Sequence, residues 1–433
     1  MRVNQLSTPV EYELKEYHSD VIPFYRNCVN FMVLFFPLLS FLLVPAVQGT
    51  TVTTVIAALL FGVLVAFPAG NNKAMYIRDT TIFFMIFMSF SIISQFLNLI
   101  YDLKLSDELV LVNRGSFLQY FFRPSHITQS LYIIISFIIF LFVKYYADRS
   151  VVKYIYWALR LLCFYAIYEF VYFKITGGPG DFMTNRKFGD RDASLFQTTS
   201  AAGIRLMRMK GYTGEPSMFA FTILPFWALT YGLKRRFDNI LLLVCLILTF
   251  STTAYFSIIL FNVAWFIYKK RYRQIFYVLL GALIILAVMQ LDAFRDTFNS
   301  IYNSVFDSKI SGDSVSSRDR GGNITTHFEY WMGLGWLHQL FGIGFGYVRS
   351  TDFLTTILVN NGLVGFIVFS CFVGKHFFVK IPDKDLAFCY AAGLAILYFI
   401  MLATVPEFAY PSLWIYLGVV YVFNKQLPSI EEK

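Results

Sequence analysis

Two stretches of this chain, Ile82–Ile100 and Ile127–Val143, contain no charged residue. As α-helices, each would cross a hydrocarbon core of about 30 Å. Runs of this kind recur along the whole sequence, too many for one water-soluble core to hide. Composition agrees, with 57% apolar and 15% charged residues against about 25% charged in a soluble domain. The fold class that follows is an all-α polytopic membrane protein. Residues 1–27 are polar and of mixed charge, which predicts a cytoplasmic N-terminal segment rather than a cleaved signal.

Hydropathy predicts about twelve spans, at 28–45, 52–68, 80–100, 127–144, 152–173, 216–233, 237–252, 254–268, 274–291, 363–379, 386–404 and 411–424. One set of short connections is basic, for example Lys144, Arg149 and Lys153, or Lys234, Arg235 and Arg236. The alternating connections near 46–51, 251–253 and 405–410 hold no Lys or Arg. The positive-inside rule then puts both termini in the cytoplasm, with 28–425 a single membrane domain and 426–433 a cytoplasmic tail. Parity rests on 239–268. Read as two short spans parted at Ser251-Thr252-Thr253, it places the loops 174–215 and 292–362 on the same outer face.

Those loops are the informative part. Loop 174–215 holds seven basic side chains (Lys174, Arg186, Lys187, Arg191, Arg205, Arg208, Lys210) against four acidic ones. Loop 292–340 carries Arg318 and Arg320 in SVSSRDRGGN, and Arg349 follows. Bare positive charge on an outer face calls for a reason, and an anionic substrate supplies one. The net charge of +9 fits the same view, whereas no soluble basic domain exists to bind nucleic acid. The five cysteines lie in apolar segments without CxxC spacing, and the five histidines lack HxxxH or HExxH spacing. Neither set points to a metal.

The stretch RMKGYTGEPSMFA, residues 208–220, concentrates the chemistry. Pro216 suits the first turn of a helix, and Glu215 would sit at its positive end. One reading makes Glu215 a cap and the cations headgroup anchors. The other makes Arg208 a bidentate clamp for phosphate oxygens and Glu215 the acceptor of a sugar hydroxyl proton. Glu169 lies inside a span, a place where carboxylates are usually functional. Gly342-Ile343-Gly344-Phe345-Gly346 lacks the spacing of a nucleotide loop and points to close backbone approach. The residues that follow, FLTTILVNNGLVGF, predict an interfacial helix, a turn at Asn360-Asn361-Gly362, and a span.

Arg208-x-x-Gly211-x-x-x-Glu215-Pro216-Ser217 is similar to the RxxGxxxEPS signature of the Wzy-type O-antigen and capsular polysaccharide polymerases. The later GIGFG and NNGLVGF runs resemble that family's GxGxG segment and its following helix, and the order of features over roughly residues 150–425 is also similar. The resemblance implies a GT-C-like membrane glycosyltransferase of the bacterial inner membrane, with its active site facing the periplasm. Its substrates would be undecaprenyl-pyrophosphate-linked oligosaccharides, with membrane lipid and a chain-length regulator protein as further partners and no cofactor or metal. Arg208 and Glu215 match the motif's arginine and glutamate, and His327 is a second candidate for the base. Lys210, Arg205, Arg318, Arg320 and Arg349 are the remaining basic candidates for substrate contact. Where related O-antigen ligases carry a histidine, this chain has Arg349-Ser350-Thr351-Asp352-Phe353-Leu354, and Ser251-Thr252 replaces a frequent Ser-Arg. The alternatives are a ligase and a lipid-linked oligosaccharide flippase or other transporter. A flippase would carry more charge inside its spans than Arg160 and Glu169.

Overall fold

The apolar runs fold as helices in the computed structural model, which describes residues 9–112, 121–186, 196–201, 204–274 and 315–425. The first half comprises α1 (Pro9–Leu34), α2 (Val52–Ala66), α3 (Asn72–Ile100), α4 (Pro124–Tyr146) and α5 (Ser150–Thr176). A two-stranded antiparallel hairpin follows, β1 (Thr198–Ala201) with β2 (Ile204–Met207), pairing Thr198 with Met207. The second half comprises α6 (Pro216–Gly232), α7 (Arg236–Ile247), α8 (Thr252–Tyr268), α9 (Val315–Gly333), α10 (Trp336–Phe341), α11 (Phe353–Gly374), α12 (Lys384–Thr404) and α13 (Pro411–Asn424). Most of the span expected at 274–291, the loop as far as 314, the tail 426–433, and the basic residues Lys187 and Arg191 lie outside the described residues.

Five stretches are long and apolar enough to cross a membrane: Asn72–Ile100, Pro124–Tyr146, Ser150–Thr176, Phe353–Phe378 and Lys384–Thr404. Helices α2, α8 and α13 are apolar but shorter. The outward face of α3 bares Phe84, Met85, Ile92, Phe96 and Leu99, a stripe that suits hydrocarbon and not water. At the centre stands α6, buried from Met218 through Thr230. A helix apolar on all sides needs neighbours on all sides, and α7, α8, α12 and α13 pack around it. At Gly232 the crossing with α12 is so close that a Cβ would lie 2.7 Å from the Leu386 Cα.

The two charges inside α5 are both paired. Arg160 reaches Asp238 of α7 at 2.6 Å, and Glu169 meets Lys210 at 3.3 Å. At the end of the bundle with short connections, Lys144–Asp79, Arg26–Asp148 and Lys269–Asp385 tie helix ends together. The opposite end carries the longer connections, 35–51, the described parts of 101–123 and 177–215, 342–352 and 405–410, and several of these bond to one another.

Three details differ from or sharpen the sequence reading. The apolar run 28–45 is helical only to Leu34, because Pro37 lacks the N–H that would continue the ladder. Residues 38–42 become a buried platform, with Leu39, Ser40 and Leu42 almost inaccessible. Second, 236–268 forms two helices broken at 248–251, with Phe250 at a φ of 49°. Leu248 accepts the Met209 N–H at 3.0 Å, so the break lies at the long-connection end.

Third, α11 is kinked at Gly362, whose φ of 67° and ψ of −172° interrupt the helical ladder. The carbonyls of Val359 and Asn360, released from their own helix, accept the N–H groups of Ile343 and Gly344, each at 2.9 Å. A Cβ on Gly342 would lie 2.3 Å from the Asn360 carbonyl, and one on Gly362 2.3 Å from that of Leu340. Glycine at both places is what lets the two backbones touch. Asn98 donates to the Ile343 carbonyl at 2.6 Å, and His126 bonds that of Phe345 at 2.7 Å. The GIGFG run is thus a backbone joint.

Candidate functional site

The stretch 208–217 threads between α5, the platform and α6. Gly211 has a φ of 50° and sits where a Cβ would be 2.8 Å from Leu162. Tyr212 turns its carbonyl to the platform and accepts the N–H groups of Leu39 (3.1 Å) and Ser40 (3.0 Å) and the Ser40 hydroxyl (2.9 Å). Glu215 is extended, with φ −133° and ψ 152°, and Pro216 opens α6. The Glu215 carboxylate makes no capping bond to the α6 backbone; the Ser217 hydroxyl donates to it at 3.2 Å.

Lys210 and Arg208, five and seven residues before the α6 cap, are committed to the fold. Lys210 is 1% accessible, and its ammonium bonds Asp181 and lies 3.3 Å from Glu169. Asp181 also accepts the Thr184 hydroxyl at 2.5 Å and the N–H groups of Met183 and Thr184 at 3.0 Å. Burial pushes the Asp181 carboxyl up, but Lys210 and then Thr184 more than reverse this and hold it below the usual carboxylate range. Lys210, expected at the substrate, neutralises a buried carboxylate pair instead. Arg208 directs Nε to the Thr249 carbonyl (3.1 Å) and one terminal nitrogen to Gln197 (2.7 Å), bracing the hairpin against the break between α7 and α8. Arg205 is exposed on β2 and donates to Thr198 at 3.3 Å.

Two other arginines line a polar cavity of about 420 Å³ at this end. Arg186 stands beside the platform because its N–H and that of Asn185 both donate to the Ser40 carbonyl. Its guanidinium donates to Gln48 at 3.0 Å and to the Leu39 carbonyl at 3.4 Å. Arg349 projects from a short ladder in which its N–H donates to Val110 (2.9 Å) and Val112 donates to Tyr347 (3.0 Å). The Asn360 side chain holds the intervening Val348 through both its N–H and carbonyl. Across the cavity, Arg349 pairs with Glu407, yet its side chain stays 44% accessible. A guanidinium has five donors in a planar fork, so one carboxylate leaves capacity for a second anion.

Tyr410 completes the wall. It is 4% accessible, donates to the Met218 sulfur at 2.8 Å and lies in hydrogen-bonding reach of Arg186. Burial raises its phenol above the ordinary tyrosine value, against the pull of Arg186 and Arg349. Tyr410 and Glu215 support the charge of Arg349, whose side chain remains open to the cavity. Glu215 is thereby a near electrostatic neighbour of both. Gln48, Thr51, Gln129 and Ser136 supply further hydrogen-bonding groups to the cavity. Its size and its few convergent polar groups are those of a site for a small ligand or headgroup.

His327 does not reach this chamber. It is wholly buried on α9, its Nδ1–H directed to the Asn323 carbonyl at 2.6 Å while Nε2 accepts the Val110 N–H at 3.3 Å. Burial keeps the ring neutral by lowering its pKa, partly offset by the Asn323 bond. With both nitrogens engaged by backbone, it pins Val110 to α9. Arg318 and Arg320 are placed on the same helix. Reading the sequence alone overlooks Glu407 and Tyr410, and sees Arg186 only as one of seven loop cations. The signal for Glu407 is that it is the single charged residue in the connection 405–410.

Among the described residues, no group of three or more His, Cys, Asp or Glu side chains is placed to hold a metal. No family model, curated protein or solved structure matches the chain.

Proposed function

We propose that this chain is a membrane glycosyltransferase that polymerises lipid-pyrophosphate-linked oligosaccharide repeats, of the Wzy-type kind its motifs resemble. In this reading it is a GT-C-like bundle of about twelve spans in a bacterial inner membrane, with the long-connection end facing the periplasm. The observation that carries the proposal is the pairing of two arginines, Arg186 and Arg349, in one polar cavity, with Glu215 within electrostatic reach of Arg349.

The chemistry follows from that arrangement. A sugar hydroxyl of the acceptor repeat attacks the anomeric carbon of the donor chain, and the bond from that carbon to the pyrophosphate oxygen breaks. The pyrophosphate leaves with the electron pair, and Glu215 takes the hydroxyl proton. Negative charge grows on the leaving group in the transition state, which is where fixed guanidinium donors contribute most. Glu407 holds the Arg349 fork in place and gives way to the phosphate oxygens.

Purified protein given a lipid-linked repeat should build a ladder of longer chains, and Glu215→Gln should abolish it without loss of folded protein. A deletion strain should display single repeats on its surface. Absence of surface repeats would favour a ligase or transporter, and normal chain lengths would sink all three readings.

A further inference from the structure

At the end of the bundle with short connections, three cations gather around one carboxylate. Asp79 of α3 accepts from Lys144 of α4 at 2.7 Å, from its neighbour Arg78 at 3.1 Å and from the Tyr145 hydroxyl at 2.6 Å. Lys375, directly after α11, has Lys144 and Asp79 within electrostatic reach but makes no ion pair among the described residues. Its ammonium lies instead 4.4 Å from the centre of the Phe372 ring. A carboxylate already shared by two cations leaves the third uncompensated, so the cluster has positive charge to spare.

An apolar hollow of about 360 Å³ starts at this lysine. Below the kink at Gly362, α11 lines it with Gly365, Val368, Phe369 and Phe372, which share one helix face. Phe83, Ile86, Phe87 and Phe90 of α3 form the facing wall. The ten steps from Gly365 to Lys375 rise about 15 Å, half of a hydrocarbon core of about 30 Å. Aromatic rings stop the hollow at its other end. The kink brings Phe353 back to Phe369, with 5.0 Å between ring centroids, and Phe345 meets Phe408 at 4.8 Å. Ile86 and Val368 stay 46% and 40% accessible, so the hollow opens sideways toward lipid. One leaflet's depth of apolar wall under a surplus of positive charge suits an acyl chain carrying an anionic headgroup.

We infer that an anionic phospholipid of the leaflet at the short-connection end is bound here, with its phosphate at Lys375 and Lys144 and one acyl chain between α3 and the lower part of α11. The site is separate from the proposed activity, whose arginines lie at the opposite end. Lys375 selects the headgroup charge, and the depth of the hollow selects a chain of one leaflet's length.

Native mass spectrometry of the full chain, released from nanodiscs of mixed phosphatidylglycerol and phosphatidylcholine, tests this. The wild type should retain phosphatidylglycerol over phosphatidylcholine by about fivefold or more, the size expected of one basic side chain at a membrane surface. Lys375→Gln should remove that preference. Val368→Trp, which fills the hollow, should lower retention of both lipids. Two controls should keep the wild-type pattern: Lys380→Gln, an exposed cation outside the hollow, and Ile367→Trp, a 49% accessible position that does not line it. Monodisperse elution of all four variants checks folding. Equal retention of the two lipids by the wild type overturns the inference, as does wild-type retention in Val368→Trp. A loss in Lys380→Gln as large as in Lys375→Gln would reduce the site to diffuse surface charge and overturn it too. So would preferential retention of undecaprenyl phosphate added in equal amount to phosphatidylglycerol.

Discussion

Two pairs of cations lie at the same end of this molecule and differ in what their side chains face. Arg208 and Lys210 come from the most conspicuous motif, yet one braces a hairpin and the other sits between Asp181 and Glu169 at 1% accessibility. Arg186, one of seven loop cations, and Arg349, from the later outer loop, line the polar cavity. A basic residue is available to a ligand only when its local countercharge leaves donors over. Lys210 has two carboxylates for one charge, whereas the five-donor fork of Arg349 has one carboxylate and open space.

The largest expected effect falls on the buried pair. Lys210→Met leaves two buried carboxylates without their cation, which should cost about 3–5 kcal/mol and appear as a much lower melting temperature in detergent. The sign of its pH dependence follows from Asp181. Its folded pKa is depressed, so its contribution is present above the unfolded value of about 4 and fades as pH falls through the folded value. Wild-type melting should therefore drop on the acid side, and Asp181→Asn should flatten that slope. A Lys210→Met protein as stable as wild type would erase the contrast between the two pairs.

Next in size is Arg349→Gln. Polymerisation should fall by about 10²–10³, the cost of removing one preorganised donor from a developing anion, with melting changed little because the residue faces a cavity. Arg208→Gln should do the reverse, lowering stability by about 1–3 kcal/mol through the lost bonds to Thr249 and Gln197, with the turnover of the folded fraction retained. If Arg208→Gln instead stopped turnover in fully folded protein, the motif arginine would regain the clamp role. Arg205→Gln, exposed on β2, should change stability by less than about 0.5 kcal/mol.

The helices were legible because burial in hydrocarbon imposes a long-range rule on composition, and nine of the described helices begin or end within three residues of a hydropathy boundary. The exception at Phe35–Val44 is instructive: hydropathy records that those residues leave water, not that they remain helical, and Pro37 decides the second question. The backbone joint at GIGFG was legible too, since glycine spacing reports close approach directly. The cavity was not. Arg186, Arg349 and Glu407 are separated by 163 and 58 positions along the chain, and what joins them is a set of backbone bonds through Ser40, Val110 and Asn360 that leaves no mark in composition.

The joint at Gly362 also sets what the bilayer can do to the chamber. Above it, Asn360 has its side chain on Val348 and its carbonyl on Gly344, so the upper part of α11 moves with the ladder that carries Arg349. Below it, the helix lies among lipid-facing residues and meets that ladder only through one glycine with a non-helical backbone. A hinge at this glycine would let the lower rod follow the membrane thickness while Asn360 holds the ladder that carries Arg349.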